Sequence, residues 1–339
     1  MSTPISLFDY RLPPEQIAQE SIQPRDHSRL LVMDRKTGAM EHKKFFQIEE
    51  ELREGDVLVM NDSKVFKARL NGECKMQNGR FKMIEVFLLR GEGTKWTAMI
   101  RPGKKVLVGD WINLRGLVAV VLEKQADGIV TLEMNATIKE VLAFTDLHGE
   151  IPVPPYVARA PEKLDDYQTV YAKTVGSVAA PTAGFHFTPE LIERIKVKGV
   201  QFEFVTLHVG IGTFRPVKTA TLEEHEMHSE LVTIEAETAK RILLAKQEGR
   251  RVIAVGTTTV RALEGTQLRV GTQDVNLFIT PGFEFKIIDG LITNFHLPKS
   301  TLLVLVSAFA GRENILHAYE EAVRLGYRFF SFGDAMFIH

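Results

Sequence analysis

The chain has 339 residues, 45% hydrophobic and 25% charged, and its 42 basic and 43 acidic side chains leave a net charge of −1. These proportions exclude disordered, collagen-like and low-complexity architectures, and the length predicts two domains. A single cysteine, Cys74, excludes an internal disulfide framework and any multi-cysteine metal site.

The first 60 residues read as mixed structure. Pro13-Pro14-Glu15 opens a short helix, because proline suits a first turn whose amide has no helical acceptor, and Arg29–Asp34 and Asp56–Met60 read as strands. Beyond Asn61-Asp62-Ser63 the texture changes to short runs: Val65–Leu70, Phe81–Arg90, Lys95–Arg101, Trp111–Leu122 and Ile129–Met134. In the third of these Trp96, Ala98 and Ile100 share one face of a two-residue period. Five or six such strands with little helical periodicity predict an all-β, barrel-like domain over residues 64–148. Between Lys64 and Lys105 eleven Lys and Arg side chains stand against three Glu, a local +8 that leaves the rest of the chain at −9. That asymmetry fits either a polyanion-facing surface or a basic-faced sheet with no nucleic-acid partner.

Ile151-Pro152-Val153-Pro154-Pro155-Tyr156 is a rigid extended connector, since prolines cannot donate to a sheet ladder. From there strands alternate with helices. Thr188 caps a helix running to about Lys198, Gln201–Leu207 is a strand, and Glu235–Glu248 is an amphipathic helix leading to a buried strand at Arg251–Val255. Ser300 caps a helix over the apolar 301–310 run, and Asn314–Leu325 is a helix before a final strand at Tyr327–Phe332 that ends in the carboxylate of Asp334. The expected fold is therefore α/β: a mixed-sheet α/β domain formed by residues 1–63 and 149–339, carrying the inserted all-β (barrel-like) domain at 64–148. Leu302–Ala310 is too short an apolar run to span a bilayer, and Met1–Ser6 lacks the basic start and apolar core of a secretion signal, so a cytoplasmic protein without membrane attachment is expected. No heptads or broad apolar stripe argue for an obligate dimer, which makes a monomer the default.

Four stretches differ from core filler. Gly176–Thr188 is rich in small residues, contains Thr182 and His186, and enters a helix N-terminus that favours negative charge. Thr206–Pro216 places His208 at a strand end followed by Gly210-Ile211-Gly212; Pro216 replaces the helix that a dinucleotide fingerprint requires, so that reading fails. His225-Glu226-Met227-His228-Ser229-Glu230 has the composition of a metal site, an acid/base cluster or a solvated turn, and lacks the H-E-x-x-H spacing. Arg251–Glu264 runs from a hydrophobic strand into Gly256, Thr257, Thr258 and Thr259 and then a helix bearing Arg261, a pattern that presents amides and hydroxyls to a carboxylate or phosphate, or that simply caps a helix whose Arg261 pairs with a glutamate. Leu291–Thr301, with Asn294, His296 and Lys299, repeats the order of strand, polar loop and helix start.

Taken together, Asn61–Val65, Arg101–Lys105, Ile151–Tyr156, Tyr167–Tyr171, Ala180–Thr188, Thr206–Phe214, Gly256–Glu264, Ile292–Thr301 and Phe329–Met336 resemble the S-adenosylmethionine:tRNA ribosyltransferase-isomerases of the queuosine pathway. The resemblance covers essentially the whole chain. Its departures are Phe185 in place of leucine, Thr259 in place of serine and Lys67 where a neutral residue or proline is common; none removes a reactive group. It implies transfer and isomerisation of the ribosyl group of S-adenosylmethionine onto 7-aminomethyl-7-deazaguanine at the wobble position of tRNA. Epoxyqueuosine-tRNA is then the product, adenine and methionine leave, and no metal or redox cofactor takes part. It also implies an α/β domain plus a β-barrel domain. With that reaction in view, His208, His225 and His228 are the expected proton-transfer groups, with Glu230 or Asp334 orienting them. Thr182, His186, Gly256, Thr257, Thr258, Thr259, Arg261, Asn294, His296 and Lys299 are the expected substrate contacts. Lys64, Arg101, Lys104 and Lys105 are expected to meet tRNA, with Tyr156 and Phe185 as candidate base-stacking rings. The rival readings are an S-adenosylmethionine-dependent RNA methyltransferase and a non-catalytic tRNA-binding protein.

Overall fold

The computed structural model describes residues 2–77, 79–154, 156–210, 219–227 and 229–339. In chain order the strands and helices begin with β1 (Arg29–Met33), β2 (Met40–Lys44), α1 (Ile48–Glu51), β3 (Val57–Asn61) and β4 (Ser63–Val65). They continue with β5 (Arg69–Lys75), β6 (Phe81–Glu92), β7 (Lys95–Arg101), β8 (Trp111–Leu114), β9 (Leu117–Lys124), β10 (Ile129–Met134), α2 (Ile138–His148) and β11 (Thr174–Ser177). The remainder is α3 (Pro189–Val197), β12 (Gln201–His208), β13 (Glu230–Ile234), α4 (Ala236–Gln247), β14 (Val252–Val255), α5 (Thr257–Thr266), β15 (Gly271–Val275), β16 (Gly290–Asn294), α6 (Thr301–Ala310), α7 (Arg312–Arg324) and β17 (Ala335–Ile338). The chain divides into two compact units, Met1–Ser63 with Gln168–Thr174 and Ala180–His339, and Lys64–Tyr167 with Val175–Ala179.

The larger unit is built on a nine-stranded sheet in the order β15-β13-β12-β3-β14-β16-β17-β1-β2. Strands β12, β3, β14 and β16 run parallel, and β16 and β17 are antiparallel. Every residue of β3, β14, β16 and β17 is buried, as expected of central strands covered on both faces. Alternate residues Leu58, Met60, Ile253, Val255, Ile292 and Phe337 pack with Phe45, Ile48, Leu191 and Ile195 in one layer of core. Thr188 caps α3 as the sequence predicts, accepting the Leu191 amide at 3.2 Å, and Ser300 caps α6 by accepting the Leu303 amide at 3.2 Å.

The parallel ladder between β3 and β12 is extended by a side chain. Buried Asn61 accepts the Leu207 amide on Oδ1 at 3.0 Å and donates from Nδ2 to the Leu207 carbonyl at 2.9 Å, imitating one more residue of strand. The same Oδ1 accepts the Ser63 amide at 3.0 Å.

The smaller unit is a closed barrel, β10-β7-β6-β5-β8-β9, with a two-stranded pairing of β4 and β11. Its interior is filled by the inward alternates of each strand, among them Leu70, Ile84, Val86, Trp96, Ile112 and Leu132. Trp111–Leu122, which the sequence predicts as one strand, is two: β8 and β9 turn on Arg115-Gly116, both at positive φ, and Leu114 pairs with Leu117. Helix α2 stands where only strands were expected. Thr137 and Glu140 form its capping box, with the Thr137 amide donating to Glu140 Oε2 at 2.8 Å. The sequence boundary after His148 also differs from the compact unit, because Arg69 and Glu150 exchange backbone hydrogen bonds and residues 149–167 stay with the barrel.

The predicted strand at Tyr327–Phe332 is instead a loop, and the last strand is β17. Asp334 causes this: its Oδ2 accepts the Arg328 amide and its Oδ1 the Arg29 amide, each at 2.8 Å, which curls residues 328–334 back on themselves.

Asn61→Ala strands three buried backbone partners at once and should destabilise the protein by about 3 kcal/mol in urea unfolding, with Asn61→Asp intermediate because it keeps the acceptor and loses the donor.

Candidate active site

The loops that follow the carboxyl ends of β12, β14 and β16 converge on one cleft of the larger unit, where open α/β sheets place ligands. Its walls are Ala180–Ala183, Val209, Gly256–Thr258, Thr293, Asn294, His296, Leu302, Phe330 and Ser331. Gly256 sits at φ +90 and donates its amide to the Ile292 carbonyl at 2.7 Å, a conformation an L side chain rarely adopts. The chain then enters α5, where the Thr259 amide bonds to the Gly256 carbonyl at 3.1 Å and the amides of Thr257 and Thr258 are the first-turn donors with no helical acceptor. Of its three hydroxyls, Thr259 bonds back to the Val255 carbonyl at 2.7 Å, whereas Thr258 Oγ1 is buried on the cleft wall with no hydrogen-bond partner among the described residues.

A chain of hydrogen bonds stands behind the opposite wall. Thr182 Oγ1 donates to Asn294 Oδ1 at 3.0 Å, and Asn294 Nδ2 donates to His186 Nε2 at 3.1 Å. Nε2 is thereby an acceptor, so the imidazole proton resides on Nδ1 and is donated to Ser28 Oγ at 2.7 Å. Burial, aided by the positive charges of Arg25 and Arg328, pushes the His186 pKa down to about 3, so the ring is neutral. His296 is held as firmly: Thr293 Oγ1 meets its Nε2 at 2.9 Å, Tyr319 Oη accepts its amide at 3.0 Å, and Tyr10 Oη donates to its carbonyl. Burial lowers its pKa to about 3 as well. Tyr10 and Tyr319 carry no sequence signal, because each reaches His296 only through the fold.

Arg261 lies one helical turn beyond Thr257 and Thr258, on the same face of α5. It is buried and forms an ion pair with buried Glu230 at the start of β13, while its Nε and Nη1 have no hydrogen-bond partner among the described residues. Burial draws its pKa down to about 10, which leaves it charged at neutral pH. The sequence leaves Arg261 open between a ligand carboxylate and a glutamate partner and expects Glu230 to orient a histidine; the structure pairs Arg261 with Glu230 itself.

The remaining expected residues divide. His208 ends β12 opposite Leu231, one residue before the cleft residue Val209. His225 donates its amide to the Leu222 carbonyl at 3.1 Å and packs its ring edge-on against Phe278. His228 lies outside the described residues, as does the 211–218 stretch. Asp334, expected to orient a histidine, has its two oxygens committed to backbone amides, and burial raises its pKa against the pull of those bonds. Lys299 pairs with Asp9 at 2.7 Å and turns toward the N-terminal segment. Phe185 is buried and stacks near Phe332, and Tyr156 is partly buried in the smaller unit. Lys64 is half-buried on β4, Arg101 ends β7 exposed, and Lys104 and Lys105 are exposed in the turn that follows. Among the described residues no group of three His, Cys, Asp or Glu side chains is placed to hold a metal ion.

A family model described as "Queuosine biosynthesis protein" matches residues 5–338. A crystal structure of an S-adenosylmethionine tRNA ribosyltransferase from Thermotoga maritima is similar to this chain at 41% identity, over 98% of this chain and 100% of that one, with a TM-score of 0.56.

Two predictions arise from the cleft. A Cβ at Gly184 would collide with the Tyr171 hydroxyl, so Gly184→Ala should cost about 1–3 kcal/mol, and Tyr171→Phe in the same chain should recover part of it in thermal melts. The two buried imidazoles have folded pKa values far below the unfolded 6.5, so their neutral state stabilises the fold fully above pH 6.5 and that stability is lost as pH falls toward 3. Between pH 6.5 and 5 each histidine should remove up to about 1.4 kcal/mol per pH unit. His296→Gln should shallow that slope, as read by urea midpoints.

Proposed function

The chain belongs to the queuosine biosynthesis protein family, and on that footing we propose how its cleft works as an S-adenosylmethionine:tRNA ribosyltransferase-isomerase. The enzyme transfers a ribosyl group in tRNA modification; the observation that carries this is the match in kind and extent, a family model over residues 5–338 and 41% identity with a tRNA ribosyltransferase across 98% of the chain. The acceptor we assign is the aminomethyl nitrogen of 7-aminomethyl-7-deazaguanine at the wobble position, and the product is epoxyqueuosine-tRNA. S-adenosylmethionine is consumed as a substrate and no resident cofactor takes part. We assign the activity to a cytoplasmic monomer; no described helix is long and apolar enough to cross a membrane.

The chemistry divides among the residues by their protonation. The sulfonium of S-adenosylmethionine acidifies the C5′ hydrogens, and a general base that removes one leaves an ylide. The C5′ carbanion expels the ring oxygen from C4′, and that oxygen forms a carbonyl at C1′ as adenine departs with a proton from a general acid; the acceptor amine adds to C4′ and loses a proton, the ylide carbon bonds to C1′, and the oxygen displaces methionine from C5′ to close the epoxide. His208, next in the chain to the cleft residue Val209, and the pair His225 and His228 are assigned to this proton transfer, with Glu230 or Asp334 as orienting carboxylates. Burial keeps His186 and His296 neutral and makes them weak proton acceptors, so we assign them to positioning, His186 through Asn294 and Thr182 and His296 through Thr293. The methionine carboxylate is assigned to the start of α5, where the orphan amides and the unmatched Thr258 hydroxyl supply donors and Arg261 stands behind with positive charge. Lys64, Arg101, Lys104 and Lys105 are assigned to tRNA phosphates.

Incubation with S-adenosylmethionine and tRNA carrying the aminomethyl-deazaguanine should release adenine and methionine, and unmodified tRNA should release neither. S-adenosylhomocysteine as the product would make the protein a methyltransferase. Thr258→Val should raise the S-adenosylmethionine KM about tenfold with kcat little changed, since it removes a donor to a charged group used in ground and transition states alike. His208→Ala should lower kcat by roughly 10²–10⁴-fold.

A further inference from the structure

The outer face of the barrel carries a row of side chains that its packing does not use. Phe81 opens β6 at 65% exposure and Trp111 opens β8 at 58%. Both are in register with Lys75, the exposed last residue of β5, which stands between them. Phe81, Lys75 and Trp111 therefore cross three adjacent strands on one face, while the next pair inward, Cys74 with Ile112, fills the barrel core. Met83, 63% exposed, follows Phe81 two residues along the same strand face. The turn after β5 is fastened to the loop after β7: buried Asp110 accepts the Gln77 amide at 3.1 Å and the Leu107 amide at 2.9 Å, and Gln77 Nε2 donates to the Val108 carbonyl at 2.7 Å. That fastening ties Leu107, Val108 and Asp110 to the end of β5, in the same loop that carries exposed Lys104 and Lys105.

We propose that this face is a stacking platform for unpaired RNA bases, with Phe81 and Trp111 as the rings and Lys75, Lys104 and Lys105 as phosphate contacts. The proposal rests on the reading of tRNA as substrate and names where the barrel grips it outside the cleft. Aromatic rings interleaved with cations on an exposed sheet face suit single-stranded nucleic acid, because every base offers a π-face and every link a negative charge. An apolar protein partner would have to bury Lys75 in the centre of the row without offering it a counter-charge, which is costly. A second copy would set one +8 segment against another.

The test uses the full chain and an unmodified tRNA transcript with guanosine at the wobble position. Trp96 is 3% exposed, so of the two tryptophans only Trp111 lies open to solvent, and its emission should be quenched as the transcript binds. A Phe81→Ala/Trp111→Ala variant, with an unchanged melting temperature, should bind at least about tenfold more weakly, whereas Phe81→Tyr and Trp111→Phe should bind like the parent. Lys75→Ala should flatten the slope of log Kd against log salt by about 0.7–0.9, and the aromatic variant should leave that slope alone. If the parent binds tRNA and releases adenine from the modified substrate while the double variant retains its affinity, the platform is overturned and the ribosyltransferase reading stands. If the parent neither binds tRNA nor releases adenine, the underlying reading fails and takes the platform with it. A concentration-dependent dimer abolished in the double variant, with tRNA affinity unaltered, overturns it in favour of self-association.

Discussion

Buried polar groups at the carboxyl edge of the parallel sheet need partners, and most of the architecture of the larger unit answers to that need. Where β3, β14 and β16 end, water is excluded and the chain still carries backbone amides and carbonyls, hydroxyls, asparagine side chains and two imidazoles. Asn61 answers by standing in for a missing residue of strand, and Asn294 by linking Thr182 to His186. Asp334 binds the backbone amides of Arg29 and Arg328. Among the described residues, Thr258 Oγ1 on the cleft wall and Nε and Nη1 of Arg261, one turn deeper on the same helix, are buried polar atoms that have no such partner.

The same constraint sorts the histidines. An imidazole that is buried and bonded at both nitrogens, as His186 is, gains nothing from a second proton and acts as a fixed link in a polar chain. His208 sits at a strand end, half-buried and next in the chain to the cleft residue Val209. Composition cannot make that distinction, since all these histidines occur in similar polar loops.

In the barrel the governing device is register. A period of two residues sends Trp96, Ala98 and Ile100 inward and leaves Lys95 and Arg101 outside, so the basic character of this segment is a surface property that the core does not dilute. Cross-strand pairing then sets residues that are distant in sequence, such as Phe81, Lys75 and Trp111, side by side.

Much was legible in the sequence because it depends on local periodicity and local caps. The barrel strands at Lys95–Arg101 and Ile129–Met134, the caps at Thr188 and Ser300, and the strand–helix alternation after residue 188 all follow from neighbours within a few positions. The convergence of the Ala180–Thr188, Gly256–Glu264 and Ile292–Thr301 segments was also foreshadowed, since each pairs a polar loop with a helix start. Contacts that depend on the fold rather than on local spacing were not legible. Tyr10 reaches the carbonyl of His296, Glu230 neutralises Arg261, and Asp334 spends both oxygens on amides and turns an expected strand into a loop. Residue type and spacing determined which groups this chain possesses; only the tertiary structure decided which of them are already satisfied, because a hydrogen bond or ion pair is a property of two positions brought together and burial sets its worth.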